Sequence, residues 1–368
     1  MTASRIPSVE GGIQPTLLTA KGDLLTASAT STVTNLPVGA DGQTLVANSA
    51  SASGLQWQSV LSPYAAGKNA IINGGMDIWQ RGTSFTYGGA AYCADRWGMV
   101  TNGPAFTFAR DSTTVPTGFT YSLKATAPSS GIAAIQTAIE TANAIQYAGQ
   151  NVTVSMYLAT SNSSVVNWEL DYSTSTDNAL NGTWTTISLQ SPTTTTTMTR
   201  YSATFAVPST AKSLRLYIGS TTLPTSGTIN ITGVQLELGS TATAFSRAGG
   251  TIQGELAACQ RYYWRSSTAA TYATYGLGTG FNTSLVSIGI NLPVTMRTAP
   301  SVLDYANLQV TDSVNNITAS SITFTSASVT SNGYISVDAA VSGSTQFRPY
   351  FLRNNNNTAG YIGFGAEL

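Results

Sequence analysis

The sequence predicts an all-β protein that has an extended N-terminal segment followed by two β-sandwiches. The first observation is that apolar and polar residues alternate with a period of two in many short runs, separated by turns rich in Gly, Pro, Asn and Ser. The second is that charged residues make up only 9% of the chain and are replaced by hydroxyl-bearing and amide residues. The third is that 42% hydrophobic residues at zero net charge are enough to build a core, so the chain is expected to fold.

The composition also excludes several classes of function. The 368 residues suggest two or three domains. Zero net charge argues against nucleic-acid binding, which needs clustered Lys and Arg. The sequence contains no run of 18 apolar residues, so no membrane insertion is expected. A surface with so few charges offers a monomer little colloidal protection, which favours a protein that lives inside a larger assembly.

Histidine is absent and cysteine is rare. Without histidine the chain cannot form Ser-His-Asp or Cys-His catalytic arrangements or His-based zinc sites. Chemistry that uses carboxylates alone stays open. The two cysteines, Cys93 and Cys259, form neither a disulfide framework nor a zinc site. We expect buried free thiols, and a bridge between the two is the alternative.

Residues 1–62 form the extended segment. The motif LLTA occurs at Leu17–Ala20 and again at Leu24–Ala27, with Lys-Gly-Asp between the copies, and short strands are expected at Val46 and at Gly54–Trp57. The segment has too few large apolar residues to bury a core alone. It would be ordered if two or three copies wrapped together; a flexible linker is the alternative.

Residues 63–250 are expected to form the first sandwich. Alternation places one apolar face on each of five runs, at 152–158, 166–172, 201–207, 214–218 and 234–238. Strands with one apolar face favour an antiparallel sandwich. One run is ambiguous, because Ile132, Ile135 and Ile139 have the three- and four-residue spacing of a helix.

Residues 251–368 are expected to begin with a short junction helix and to continue as the second sandwich. Leu256, Cys259 and Tyr263 share one face of the predicted helix, which lies within Thr251–Tyr263. Alternation returns from Thr271 onward and continues through the terminal YIGFGAEL, which predicts a strand that runs to the last residue.

Several stretches resemble proteins of one kind. The run LLTAKGDLLTASA, with the later LPVGADGQTLVANSASASGLQW, looks like the Lys-Gly-Asp repeat segment of tail fibres and other virion appendages of tailed bacteriophages. NAIINGGMDIWQRGTSF and YCADRWG resemble the start of a jelly-roll module in such proteins, and ITGVQLELGSTATAFSRAGGTIQGELAACQRYYW resembles its end and junction helix. LPVTMRTAPSV and GFGAEL are similar to the C-terminal sandwich. Residues 100–225 match only in pattern.

The resemblance implies a virion protein assembled in the bacterial host cytoplasm. Such proteins are usually intertwined homotrimers that attach to other virion proteins by the N-terminus and direct their β-domains towards host surface glycans. It implies a carbohydrate-binding-module-like jelly roll at 63–250, and a strand rather than a helix at AAIQTAIE. Jelly-roll sugar modules often carry calcium, so a structural calcium ion is conceivable, although no Asp-x-Asp motif locates one. No other cofactor is expected.

Two clusters are the main site candidates: Asp77, Trp79 and Arg81 in NGGMDIWQRG, and Asp95, Arg96 and Trp97 in ADRWG. Arg and Asp could form a buried pair beside Trp that fixes a corner or an inter-domain contact. Alternatively, the side chains could contact a ligand directly, with Trp stacked on a sugar. We favour the corner and predict no catalytic residue.

Two further groups invite a functional interpretation. Glu169 and Asp171 lie two residues apart on one strand face, roughly 7 Å from each other, a separation used in glycosidic cleavage; a solvated face is the favoured interpretation. An aromatic run suits either sugar stacking or a trimer interface, and we favour the interface. It comprises Tyr262, Tyr263, Trp264, Tyr272 and Tyr275.

Three functions compete at this point. The first is an adhesive fibre protein that gains strength from multivalency. The second is a purely structural virion protein, such as a head fibre, a baseplate protein or a tail decoration. The third is a glycan depolymerase, which would require a long β-helix repeat or a carboxylate pair in a groove.

Overall fold

The N-terminal unit, within Met1–Ser62, contains two hairpins that form separate sheets. The Trp57 indole N–H of the second donates to the Pro37 carbonyl, just after the first, at 2.7 Å. The computed structural model describes residues 17–30, 32–40, 43–59, 66–87, 91–102, 104–329 and 333–368. Strand β1 (Leu24–Ala29) pairs with β2 (Thr32–Leu36), and β3 (Gln43–Ala47) pairs with β4 (Leu55–Ser59). The strands predicted around Val46 and Trp57 are therefore present. None of the side chains described in this unit is buried.

The second unit, Pro63–Leu368, begins with a sandwich of two six-stranded sheets. Its strands are β5 (Ser84–Tyr87), β6 (Ala91–Tyr92), β7 (Gly98–Asn102), β8 (Phe106–Asp111), β9 (Ser122–Thr126), β10 (Ile132–Ile139), β11 (Asn151–Thr160), β12 (Val166–Ser173), β13 (Thr185–Gln190), β14 (Thr199–Ala206), β15 (Ser213–Ser220) and β16 (Thr228–Leu238). The first sheet has the order β13–β12–β15–β10–β7–β6 and the second β14–β11–β16–β9–β8–β5. Within the described strands every pairing is antiparallel, and the predicted all-β sandwich is confirmed.

The apolar faces of the two sheets meet in one core. Trp168 of the first sheet and Phe205 of the second lie edge to face, with ring centroids 5.6 Å apart. Alternation fails where side chains cover the outer face: Ser155 on β11 is as buried as its apolar neighbours and accepts a hydrogen bond from Arg200 Nη2 at 3.0 Å. At the end of β16, Leu238 is exposed although the pattern placed it inward.

The ambiguous run forms strand β10, as the resemblance implied. Only after Ile139 does the chain turn into the short helix α1 (Thr141–Ala144) and a 3-10 turn at Ile145–Tyr147. β10 lies inside its sheet, and both of its faces are buried. Continuous burial removes the period-two pattern, so the isoleucines could take helical spacing without forming a helix.

The junction helix α2 spans Ile252–Gln260. Thr251 caps its N-terminus, because the Thr251 hydroxyl accepts a hydrogen bond from the Gly254 backbone N–H at 3.1 Å. The helix was predicted, but the prediction that Tyr263 lies on its face with Leu256 and Cys259 was wrong for Tyr263. The helix ends at Gln260, so Tyr263 belongs to the strand that follows rather than to the helix.

The remaining strands form a three-stranded and a seven-stranded sheet. They are β17 (Tyr263–Ser267), β18 (Thr274–Asn282), β19 (Leu285–Asn291), β20 (Val302–Ala306), β21 (Leu308–Thr311), β22 (Asn316–Thr318), β23 (Ser321–Val329), β24 (Tyr334–Ala340), β25 (Pro349–Asn354) and β26 (Tyr361–Gly365). The sheet orders are β17–β26–β20 and β22–β21–β25–β18–β19–β24–β23. These sheets share a second core, separate from the first.

The last strand stops earlier than predicted. β26 ends at Gly365, and Leu368 lies outside it. The Ala366 N–H donates to the Tyr262 carbonyl at 2.7 Å, and the Ala366 carbonyl accepts from Arg297 Nε at 3.0 Å. These bonds tie the final residues to the start of β17 instead of to a neighbouring strand.

Candidate functional site

Residues from both predicted motif clusters and from the aromatic run come together in one largely buried group. We call this group the arginine cluster; it consists of Gln80, Arg81, Asp95, Arg96, Tyr262, Tyr263 and Glu367. The guanidinium of Arg81 lies 3.4 Å from the centre of the Tyr263 ring, and that of Arg96 lies 3.6 Å from the Tyr262 ring. Arginine stacks on aromatic faces in this way because its cation is planar and weakly hydrated.

Glu367, which the sequence did not single out, joins the two arginines. One carboxylate oxygen of Glu367 lies 3.1 Å from Arg81 Nη2, and the other pairs with Arg96 Nη1. Arg96 Nη2 also donates to the Ala138 carbonyl at 2.7 Å. The first sandwich is thereby attached to the chain segment that follows β26.

The carboxyl of Asp95 lies in the desolvated part of the cluster. Burial raises the pKa of its carboxyl to about 6, against the opposing effects of the Arg81 cation and of hydrogen bonds from Gln80. Gln80 Nε2 also donates to the Tyr263 carbonyl at 2.6 Å. Asp77 stands apart, because it pairs with Arg247 at 2.9 Å and not with either arginine of the cluster.

Both tryptophans of the motifs are buried. The Trp97 indole N–H donates to the Asn73 carbonyl at 3.1 Å, and that of Trp79 donates to the Met76 carbonyl at 2.8 Å. Asn73, in the left-handed region at φ 58°, bonds through its amide to the carbonyls of Ile78 and Asp95. The indole faces therefore pack inside the protein and are not available to stack on a sugar.

The predicted aromatic run is divided by burial. Tyr262 and Tyr263 are each 1% exposed, so the chain itself covers the surfaces that a glycan or a partner copy would need. Trp264 is half-buried and stacks on Phe364, with centroids 5.8 Å apart. The Tyr275 hydroxyl donates to the Gly360 carbonyl at 2.7 Å. Tyr272 is the exposed member of the run, at 41%.

The two cysteines are free and buried, as expected from their number. Burial raises the pKa of the Cys93 thiol to about 12 and raises that of Cys259 well above its usual value. A thiol that does not ionise is a poor nucleophile. Neither residue is therefore placed for covalent chemistry.

A different surface lies on the face of the first sheet that points away from the core. Glu169, Tyr217 and Tyr92 are partly exposed there, whereas Gln136 is only 5% exposed. Cross-strand pairing aligns six residues there, which we call the cross-strand row: Leu189, Glu169, Tyr217, Gln136, Gly98 and Tyr92. Directly paired residues of antiparallel strands point to the same face. At strand spacings of about 4.8 Å, six strands make the row roughly 24 Å long.

The loop between β12 and β13 forms a wall beside the row. A Cβ atom on Gly98 would lie 2.8 Å from Leu180 of this loop, so glycine is needed for the close approach. Trp184, at the end of the loop, lies 5.2 Å from the Arg215 guanidinium. A cavity of about 190 Å³ opens at the end of the row formed by Tyr92 and Gly98. It is lined by Ala91, Tyr92, Gly98, Gln136, Leu180, Asn181 and Leu368.

The carboxylate pair suggested by the sequence does not act as a pair. Asp171 is fully buried, and its Oδ2 accepts from Nε and Nη2 of Arg215 at 2.9 and 2.7 Å. Glu169 is partly exposed, and burial together with the charge of Asp171 raises the pKa of its carboxyl. An Asp held by Arg215 and closed off from solvent cannot activate a water molecule beside Glu169.

Sequence reasoning missed Tyr217, Trp184, Gln136 and Arg215. In the run SLRLYI, the alternation predicted only that the two leucines and the isoleucine face the core. An aromatic residue at an outward position of an alternating strand was a usable indication for Tyr217. No local pattern marks Gln136, because its importance depends on which strands become neighbours.

Within the described ranges, no three Cys, Asp or Glu side chains come together as metal ligands. A structural calcium ion therefore stays a prediction without an assigned site. Over the same residues, no helix is long and apolar enough to cross a membrane.

Comparison with known proteins gives weak likenesses. No protein-family model matches the sequence, and no curated protein is significantly similar to it. Among solved structures, the chain is similar to the enzymatically active domain of tailspike protein 4 of bacteriophage CBA120, at a TM-score of 0.35 and 16% identity over 50% of this chain and 22% of that one. It is also similar to a putative sugar-binding protein from Bacteroides thetaiotaomicron. The TM-score is 0.32 and the identity 12%, over 46% of this chain and 100% of that one.

A third similar structure is the carbohydrate-binding module TmCBM61 in complex with β-1,4-galactotriose. Its TM-score is 0.29 at 11% identity, over 46% of this chain and 99% of that one. TM-scores and identities this low establish neither a shared family nor a shared site.

Proposed function

We propose that this chain is a non-enzymatic bacteriophage virion fibre protein that binds a host-surface glycan through the cross-strand row. The observation that carries the proposal is the placement of Tyr217, a partly exposed ring between the polar side chains of Glu169 and Gln136. A sugar ring offers an apolar face for an aromatic side chain and hydroxyls for neighbouring polar groups. The bacteriophage assignment rests on the sequence resemblance.

Assembly as a homotrimer is part of the proposal. In the N-terminal unit, Leu24, Leu25 and Val33 are all exposed, and each sheet has two strands. An isolated two-stranded hairpin is only marginally stable in water. Wrapping with two other copies, or contact with other virion proteins, would supply the missing burial. In a trimer, three weak glycan sites would act together.

A purely structural virion protein is the second candidate. It is favoured by the arginine cluster, because the charges of Arg81, Arg96 and Glu367 pair with one another within the chain and hold the fold together. In that case the cross-strand row would bind no sugar. Attachment by the N-terminal segment, location in the virion and assembly in the host cytoplasm are common to both candidates.

The test combines a glycan array, a whole-cell binding assay and light scattering with the purified full chain. We expect a mass three times that of the 38.2 kDa chain, and binding that competes with phage adsorption. The Tyr217→Ala variant should trimerise but bind at least about tenfold more weakly, and Tyr272→Ala should trimerise and bind like the wild type. A trimer that binds no glycan and no cell would favour the structural candidate, and a monomer would contradict both.

A further inference from the structure

Arg215, the cation beside the cross-strand row, is already hydrogen-bonded to groups of the same chain. Arg215 donates from Nε and Nη2 to Asp171, and its Nη1 lies 3.3 Å from both the Gln136 side-chain oxygen and the Leu180 carbonyl. All three guanidinium nitrogens therefore have partners. An anionic ligand would have to break these bonds before it could pair with the cation, and breaking them would leave Asp171 buried without its counter-charge.

Hydrogen-bond acceptors, in contrast, are in excess. Glu169 accepts a bond from the Thr186 hydroxyl at 3.3 Å, and in the described part of the chain it forms no ion pair. Asp171 Oδ1 is buried and has no hydrogen-bond partner among the described groups. Two carboxylates thus face one cation, so this part of the row has a net negative charge at neutral pH.

From these contacts we infer that the row selects uncharged saccharides over saccharides that carry carboxylate or phosphate groups. The inference rests on the proposed glycan-binding function and specifies its ligand class. Hydroxyl groups of a neutral sugar can donate to Glu169 while the sugar ring packs against Tyr217. A carboxylate or phosphate at the same position meets a like charge and finds no free cation, so its binding should be weaker than that of a neutral hydroxyl.

The experiment compares two forms of the same polymer. Polygalacturonate, alginate and hyaluronate are each tested native and after reduction of their carboxyl groups to alcohols, which removes the charge and keeps the backbone. Binding of the full chain is measured by titration calorimetry at low and at high salt. The reduced form of any polymer that binds should bind at least about tenfold more tightly than the native form, and high salt should narrow the difference by screening.

Variants locate the source of the selectivity. Glu169→Gln removes the charge and keeps the shape, so the preference for the reduced polymer should fall to about threefold or less. Asp338→Asn, a carboxylate change in the second sandwich, should leave the preference unchanged. Tyr217→Ala should weaken the binding of both forms alike.

The outcomes separate the two proposals. Equal or tighter binding of the native acidic forms would overturn the inference and leave glycan binding standing. A preference that is unchanged in Glu169→Gln would also overturn it, because the charge would then not be the cause. If the array and all six polymer preparations show no binding, the proposed function fails and the inference fails with it.

Discussion

The arginine cluster and the cross-strand row contain the same kinds of side chain but differ in burial. Arg96 stacks on Tyr262, pairs with Glu367 and is almost completely buried. On the row, Tyr217 and Glu169 reach solvent, and Arg215 is held in place beside them. Residue type alone therefore does not separate structure from function. What separates them is whether the polar groups are satisfied within the chain or left available to a ligand.

The largest expected effect comes from breaking the arginine cluster. Arg96→Met leaves the Glu367 carboxylate, whose side chain is 10% exposed, with Arg81 as its remaining cation, so the free energy of unfolding should fall by about 3 kcal/mol. Chemical denaturation measures this change in the free energy of unfolding. Lys212→Ala, at an exposed lysine, should change the free energy of unfolding by less than about 0.5 kcal/mol. A loss below about 1 kcal/mol in Arg96→Met would show that the cluster is not a main support of the fold.

The second effect concerns the row and should appear in binding rather than in stability. Tyr217→Ala removes the proposed stacking surface, so affinity for a bound glycan should fall at least about tenfold, while the free energy of unfolding changes by about 1 kcal/mol or less. Titration calorimetry and denaturation measure the two quantities. Tyr272→Ala, an exposed tyrosine outside the row, is the control. A larger binding loss in the control would place the site on the second sandwich.

The smallest effect is a pH dependence inside the arginine cluster. The pKa of Asp95 is raised from 3.8 to about 6, so the folded state holds a proton that the unfolded state has already released in this range. The associated stability is fully present below about pH 4 and is lost as the pH rises through 6. Between pH 6 and pH 5, the wild type should gain about 1 kcal/mol relative to Asp95→Asn.

The measurement for this prediction is the difference between the two denaturation curves at each pH. Other carboxyls with shifted pKa values, such as Glu255, are present in both proteins and cancel in the difference. A difference that is flat between pH 5 and 6, or that grows in the opposite direction, would show that Asp95 is not held in a desolvated site.

Local patterns predicted the strands but not the contacts between distant segments. Alternation located β12 and β15, because each buries one face. The partner of Arg96 was beyond reach, since Glu367 lies 271 residues further along the chain. Burial of Trp97 depends on the turn that Asn73 organises, and composition does not reveal that turn.

The candidate site was hidden for a related reason. The spacing of Glu169 to Asp171 drew attention to it, yet its neighbour in the proposed site is Tyr217, on the adjacent strand. Gln136 joins them only because β10 pairs with the other side of β15. A site made by sheet order becomes visible once the order of strands is known, whereas each residue alone looks like part of a solvated face.

The most direct test of this account is a crystal structure of the full chain with a bound neutral oligosaccharide found by the glycan array. The account predicts a sugar ring packed against Tyr217, with its hydroxyls bonded to Glu169 and Gln136, and an arginine cluster unchanged and out of contact with the ligand. A sugar bound at Trp79 or Trp97, or one seated on the second sandwich beside Tyr272, would contradict it.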